Sequence, residues 1–352
     1  MASRVDLTEG TTFDLVVGTG GIGSGIVLEL EGNQTLSREE SRAATLLGAK
    51  DFCKLHIVFH YLQRLLGPEF PVLPIGSVGS DAAGTELLGL MAEVGLRLDD
   101  VVVMPDAPTL FAVSFGYPDG DGGNLTARHS ASDAVSARAV RDAAAGWRRH
   151  GARGIAVALP EVPLDARREL LRLATDAAYL RVATFVPGEA AEVLATGMLD
   201  DVDLLALNLD EARAFVPGLV EQDGPREVAE RAIQELLAVN DRLSLVITAG
   251  GSGSWSWDGV ATRHAPALPA TVVSTAGAGD AHLAGILTAL VCGVELHEAN
   301  AFGSLIGAMK VAHGDTINPN ISARSVLMTA AALDANVPAP IRVRLVGVGG
   351  IP

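Results

Sequence analysis

The sequence predicts an α/β fold, a mostly parallel sheet covered on both faces by helices. Three observations carry this: short apolar runs without polar alternation, helical spacing between them, and one region that breaks the rhythm. Phe13–Val17, Val72–Ile75, Gly154–Leu159, Arg181–Phe185, Leu204–Leu207 and Leu243–Thr248 read as strands buried on both faces. Ala83–Val94, Ala166–Ala178, Arg226–Leu237 and Ala299–Ala312 place apolar residues three and four apart, as helices do. Strands alternating with helices call for parallel pairing. The exception runs from Val101–Val103 through Thr109–Phe115 and a turn at Tyr117-Pro118-Asp119-Gly120-Asp121-Gly122-Gly123 to Asn124–Arg128. Its Asp-Gly pairs signal a hairpin, either an edge decoration or a lid.

Composition narrows the function classes. The chain has 352 residues, 49% of them hydrophobic, enough for a large core and a smaller appendage. A formal charge of −16 argues against a nucleic-acid partner. The basic cluster Arg148-Arg149-His150 is short and reads as a solvated helix end. Cys53 and Cys292 are the only cysteines, and neither has a Cys or His neighbour at metal-ligand spacing. Reduced thiols and a cytoplasmic location are expected. Met1–Gly10 lacks a signal-peptide core, and no apolar run reaches the length of a membrane span.

The chemistry concentrates in Ser274-Thr275-Ala276-Gly277-Ala278-Gly279-Asp280. Ala270–Val273 before it reads as a short strand. Leu283, Ile286, Leu287, Leu290 and Val291 after it read as a helix stopped at Gly293. Glycines bring backbone N–H groups together at a positive helix end, which suits a transferring phosphate or an oxyanion. Asp280 stands where it could deprotonate an attacking hydroxyl. A purely structural strand-to-helix turn with a capping aspartate has equal weight on the residues alone.

With Ala281-His282-Leu283-Ala284-Gly285 following, this turn resembles the signature of the PfkB/ribokinase-like sugar kinases. The resemblance implies a ribokinase-like three-layer α/β/α domain over residues 1–352, with a small β-sheet lid formed by about 24–34 and 100–130. Ile26–Glu31, alternating apolar and acidic, and the hairpin Thr109–Arg128 occupy the lid's places. It further implies a γ-phosphoryl transfer from ATP with Mg²⁺, Asp280 as the base, and Gly277, Ala278 and Gly279 as amide donors. Ser274 replaces the family's first aspartate, near a monovalent-cation site, and leaves that cation open. Asn208-Leu209-Asp210-Glu211 is similar to the family's Asn-x-x-Glu element. Asn208 and Glu211 would then serve the phosphates and Mg²⁺, with Glu211 the metal contact. The same spacing is that of a helix capping box. Thr248-Ala249-Gly250-Gly251-Ser252-Gly253-Ser254 is similar to the loop beside the ATP phosphates, assigning Thr248, Gly250, Gly251 and Gly253 to the nucleotide. Ala301–Asn318 would border the adenine, with Asn318 a pocket residue.

The N-terminal half departs from the pattern. Gly76-Ser77-Val78-Gly79-Ser80-Asp81-Ala82-Ala83-Gly84 resembles a family scaffold element. The family's sugar-binding Asn-x-Asp, however, is replaced by Gly20-Gly21-Ile22-Gly23-Ser24-Gly25. Lys54-Leu55-His56-Ile57-Val58-Phe59-His60-Tyr61 stands in place of the usual Gly-Gly-x-x-x-Asn helix entry. An acceptor other than ribose or fructose follows. Asn33, Arg38, Glu39, Arg42, Lys54, His56, His60 and Tyr61 form a polar set suited to an anionic small molecule. Alternatively, Arg38, Glu39 and Arg42 are an exposed helix face with ion pairs. His56 and His60, four apart, lack the acidic partner of a His-Glu-x-x-His site and read as core or substrate contacts. Asn124 and Thr126 would reach the substrate from the hairpin, and two copies would pair through the lid.

Two other functions compete. Gly18-Thr19-Gly20-Gly21-Ile22-Gly23 after Phe13–Val17 matches the dinucleotide fingerprint, pointing to an NAD-dependent oxidoreductase. A strand pattern rather than a helix follows it, and the acidic ribose contact is missing. A non-catalytic sugar- or nucleotide-binding protein on the same fold is the third reading.

Overall fold

The computed structural model describes residues 7, 10, 12–119, 122–219 and 222–350. Gly120-Asp121 of the expected hairpin turn and most of Met1–Gly10 lie outside the described residues. The chain begins with β1 (Leu15–Thr19), β2 (Gly23–Leu30), β3 (Ala44–Phe52) and α1 (Lys54–Leu66). Next come β4 (Val72–Gly79), α2 (Ala82–Val94), β5 (Val101–Met104), β6 (Leu110–Gly116), β7 (Gly122–Thr126) and α3 (Ala137–Trp147). The middle holds β8 (Gly154–Ala158), α4 (Leu164–Asp176), β9 (Leu180–Ala183), α5 (Ala190–Ala195), β10 (Leu204–Asn208), α6 (Leu209–Phe215) and α7 (Pro225–Val239). The chain closes with β11 (Ser244–Thr248), β12 (Ser254–Trp257), β13 (Thr262–Ala265), α8 (Ala278–Val291), α9 (Leu296–Val311), α10 (Ala323–Ala332) and α11 (Ala339–Gly349).

Among the described residues nine strands form one sheet in the order β13-β12-β11-β10-β9-β8-β1-β4-β5. Pairing is parallel from β5 to β11 and antiparallel only where β12 and β13 add an edge. Successive strand residues point to opposite faces. Thus Val16, Val72, Val157 and Leu204 pack under α1, α8 and α9, while Leu15, Val17, Ala156 and Leu205 pack under α4, α5 and α7. The result is the expected α/β/α layering.

A second sheet of four strands, β3-β2-β6-β7, stands apart. Two expectations change here. Val101–Val103 belongs not to this sheet but to β5, the parallel edge of the large one, in register Gly76↔Val101. The segment 31–43 is not a helix; it leads into β3, whose apolar Leu46 and Leu47 face outward and so hide the strand's alternation. A third correction concerns Ala270–Val273. These residues form no strand, because the sheet already ends at β13, and the amides of Val273 and Ser274 instead donate to the Val311 carbonyl at the end of α9.

Candidate active site

Parallel sheets gather their ligand-facing loops at the carboxyl ends of the strands. Here that rim carries Gly20 and Gly21 after β1, Glu161 after β8, Asn208 at the end of β10 and Thr248 opposite it on β11. The helix α8 begins beside it.

Gly277 sits at the α8 N-cap with φ 77°, in the left-handed region. A Cβ there would lie 2.5 Å from the Thr316 carbonyl oxygen, so glycine is required for the turn to close. Gly279 differs: a Cβ would meet nothing within 4 Å. No protein atom there requires a glycine. The Ala278 amide already donates to the Thr275 carbonyl at 3.0 Å. Of the three residues assigned as amide donors, Ala278 is therefore engaged. The amides of Gly279 and Asp280, in the first turn of α8, are among the helix-start N–H groups that lack an intrahelical partner, at the positive end of the helix dipole.

Asp280 pairs with Lys54, whose Nζ is 3.6 Å from Oδ1; the two side chains are 15% and 28% exposed. Lys54 opens α1, where a cation opposes the helix dipole. Asp280 foremost, then Glu211 and Glu161, hold its ammonium well above the ordinary lysine range despite burial. Glu161 takes an unusual backbone φ of 74° and accepts the Lys54 amide on Oε2 at 3.0 Å, capping α1 from another element. A Cβ on Gly21 would lie 2.4 Å from that oxygen, so Gly21 makes room for the carboxylate. Burial pushes Glu161 up to about 7, with Lys54 opposing.

Asn208 and Glu211 form the capping box of α6: Asn208 Oδ1 accepts the Glu211 amide and Glu211 Oε2 the Asn208 amide, both at 2.8 Å. The structural reading of this motif is therefore realised. Glu211 Oε1 takes no part in the box. Burial raises the Glu211 carboxyl, while Lys54 lowers it. Among the described residues no cluster of three or more His, Cys, Asp or Glu side chains could hold a metal by itself. The loop after Thr248 exposes Gly250 and Gly251 to open space, while Gly253 (φ 87°) lies against the Ala265 carbonyl. Beside it, Ala265, Pro266, Leu268, Ala301 and Ser304 line a cavity of about 210 Å³.

From the small sheet, Asp51 at the end of β3 faces the rim, close enough that Asp280 and Lys310 act on its charge. Burial is the main reason its carboxyl is raised. Ser114 donates to Asp51 at 2.8 Å, Asn124 donates to Ser114 at 3.0 Å, and Thr126 donates to Asn124 at 2.9 Å. One polar chain thus crosses three strands and ends at a buried acid.

Several assigned residues lie elsewhere. Asn33 and Arg38 are on the exposed segment between β2 and β3, where Asn33 accepts the Asp119 amide at 3.1 Å. Arg42 pairs with Glu40 rather than with Glu39. His56 is 1% exposed, held neutral by burial at about 3, and packs against Phe52 and His60. His60 is likewise pushed down to about 4 by burial. His56 thus lies in the core, while His60 is half-buried one turn further along α1. Asn318 is 8% exposed, and its side chain is engaged with the Met309 carbonyl and the Asn320 amide, so it braces its own loop. Asp51, Ser114, Glu161 and Lys310 were missed. For Glu161 a signal existed: it follows the predicted strand Gly154–Leu159 at the carboxyl end, where parallel sheets place functional groups.

Comparisons with known proteins agree with this fold. The sequence matches the family described as pfkB family carbohydrate kinase over residues 58–323. It is 28% identical over 207 residues to the 2-dehydro-3-deoxygalactonokinase of Haloferax volcanii, covering 56% of this chain and 60% of that protein. The chain thus spans less than two thirds of that curated relative. Its fold resembles a Burkholderia thailandensis nucleoside kinase solved in complex with inosine, with a TM-score of 0.70 and 19% identity, covering 92% of this chain and all of the other. It also resembles Arabidopsis thaliana ribokinase complexed with ribose and ATP, with a TM-score of 0.67 and 20% identity, covering 91% and 99% of the two chains.

Proposed function

The chain belongs to the pfkB family of carbohydrate kinases, and from that premise we propose that it transfers the γ-phosphoryl group of ATP to a hydroxyl of a small molecule held between the rim and the small sheet. One observation carries the reading: within the first turn of α8, a carboxylate, Asp280, adjoins helix-end amides whose approach at Gly279 is left open. Phosphoryl transfer asks little more of a protein than positioning and charge stabilisation.

Asp280 accepts the proton of the attacking hydroxyl. Lys54 holds that carboxylate in place through their ion pair. The amides of Gly279 and Asp280 meet the charge developing on the phosphoryl oxygens. Mg²⁺ would be held by the nucleotide phosphates with Glu211 Oε1, the sparse protein ligation that this ion accepts, and would neutralise phosphate charge. Thr248, Gly250 and Gly251 line the phosphates, and the cavity by Ala301 and Pro266 takes the base. Asp51, through Ser114 and Asn124, gives the acceptor hydroxyls a directional set of partners. The inosine and the ribose in the two structural neighbours support a polyhydroxylated acceptor, and the bound ATP of one supports the donor. The small sheet also exposes Leu46 and Leu125, the surface through which two copies would pair.

The dinucleotide reading loses its basis, since β2 rather than a helix follows Gly18–Gly23. Thermal melting with ATP and Mg²⁺ against melting with NAD separates the two: stabilisation by ATP is expected, and stabilisation by NAD alone would reverse the assignment.

A further inference from the structure

Lys310, in the last turn of α9, is completely buried. Its side chain does not end on a carboxylate. Two of its three N–H donors go to backbone carbonyls, that of Ser274 at 3.0 Å and that of His313 at 3.2 Å. These two carbonyls belong to the two segments that frame the glycine turn. Ser274 opens the turn, and its amide is held by the Val311 carbonyl. His313 opens the loop whose Thr316 carbonyl lies against Gly277. That loop is in turn fastened to the small sheet: Asp315 accepts the Lys50 amide at 2.7 Å, and Thr316 Oγ1 accepts the Phe52 amide at 2.9 Å.

A buried cation is costly unless its partners compensate. Here the compensation comes from neutral carbonyl oxygens at contact distance, from the C-terminal end of α9, and from the charges of Asp315, Asp51 and Asp280 acting from further away. Burial pulls the ammonium down to about 8, so it remains charged near neutrality. Carbonyl oxygens around a compact monovalent charge are the ligands of a potassium or ammonium ion. In this chain the ion is attached to the backbone.

We propose that the Lys310 ammonium is a built-in monovalent cation, a positioning residue that fixes the glycine turn so that turnover requires no free potassium or ammonium. The inference rests on the phosphoryl-transfer reading for its kinetic consequence but not for its structural one. The test therefore has two readouts. Wild-type turnover measured in potassium, sodium, ammonium and choline chlorides at one ionic strength should agree within about twofold; activation by potassium of tenfold or more would overturn the proposal. Lys310→Ala should lose at least about tenfold in turnover in choline chloride and regain most of it with ammonium or methylammonium. A variant as active as wild type in choline, or one that no cation restores, would also overturn it. The second readout needs no substrate: ammonium should raise the melting temperature of Lys310→Ala and leave that of the wild type unchanged. If the variant does not fold, the wild-type salt series still decides. If no acceptor is phosphorylated, the melting series decides alone.

Discussion

The rim of the large sheet and the small sheet that faces it would, in the proposed reaction, recognise ligands by different means. At the rim the chemistry is in the backbone: helix-end amides at Gly279 and Asp280, a turn closed by Gly277, and open glycines at 250 and 251. In the small sheet it is in side chains, the relay from Thr126 through Asn124 and Ser114 to Asp51. Backbone donors present the same groups whatever the acceptor and suit the phosphoryl common to all such reactions. Side-chain donors change with each substitution and suit the part of the reaction that differs between enzymes. Asp280 and Lys54 stand where the two meet.

The largest effect should come from that junction. Asp280→Asn is expected to lower turnover by about 10²- to 10⁴-fold while ATP affinity, read by calorimetry, stays within about twofold. The two glycines of the turn give the next and sharpest contrast. Gly279→Ala should keep its melting temperature, since a Cβ there meets no protein atom, yet lose about tenfold or more in kcat as the methyl enters the phosphoryl's space. Gly277→Ala should melt several degrees lower, because left-handed backbone and a carbonyl at 2.5 Å both oppose the methyl. If both variants behaved alike, the division between a structural and a ligand-facing glycine would fail.

On the side-chain half, Asp51→Asn should raise the acceptor KM by about tenfold, the value of one hydrogen bond to a charged group, and leave the KM for ATP unchanged. Equal changes in both constants would remove Asp51 from the acceptor site.

The smallest effect concerns Glu161. Its folded pKa, about 7, lies above that of the unfolded chain, so the folded state binds the extra proton and wild-type stability declines as pH rises from about 4.5 to 7. Glu161→Gln cannot titrate and keeps an oxygen for the Lys54 amide. Its melting temperature relative to wild type should therefore climb across that range and level off above it; a flat difference would contradict the assignment.

The same division explains what the sequence reveals. Strands such as Leu204–Asn208 and helices such as Ala82–Val94 declare themselves by apolar periodicity, and the α8 turn by glycines that backbone geometry demands. The small sheet was only half legible. β2 alternates and the β6–β7 hairpin carries Asp-Gly pairs, but β3 exposes its leucines and was hidden. Asp51 and Lys310 carry no local signature, because each has a defining partner more than thirty positions away. For the histidine pair the core alternative holds at His56, and spacing alone could not choose it, because it says nothing of which helical face is buried.

The central claim is that γ-phosphate leaves ATP for a small-molecule hydroxyl at Asp280. Phosphorus NMR of the protein with ATP, Mg²⁺ and a panel of sugars, nucleosides and sugar phosphates reads this directly. The expected result is ADP together with a new phosphomonoester signal for at least one acceptor, absent with Asp280→Asn. An unchanged ATP spectrum across the panel, or ADP accompanied only by inorganic phosphate, would contradict it.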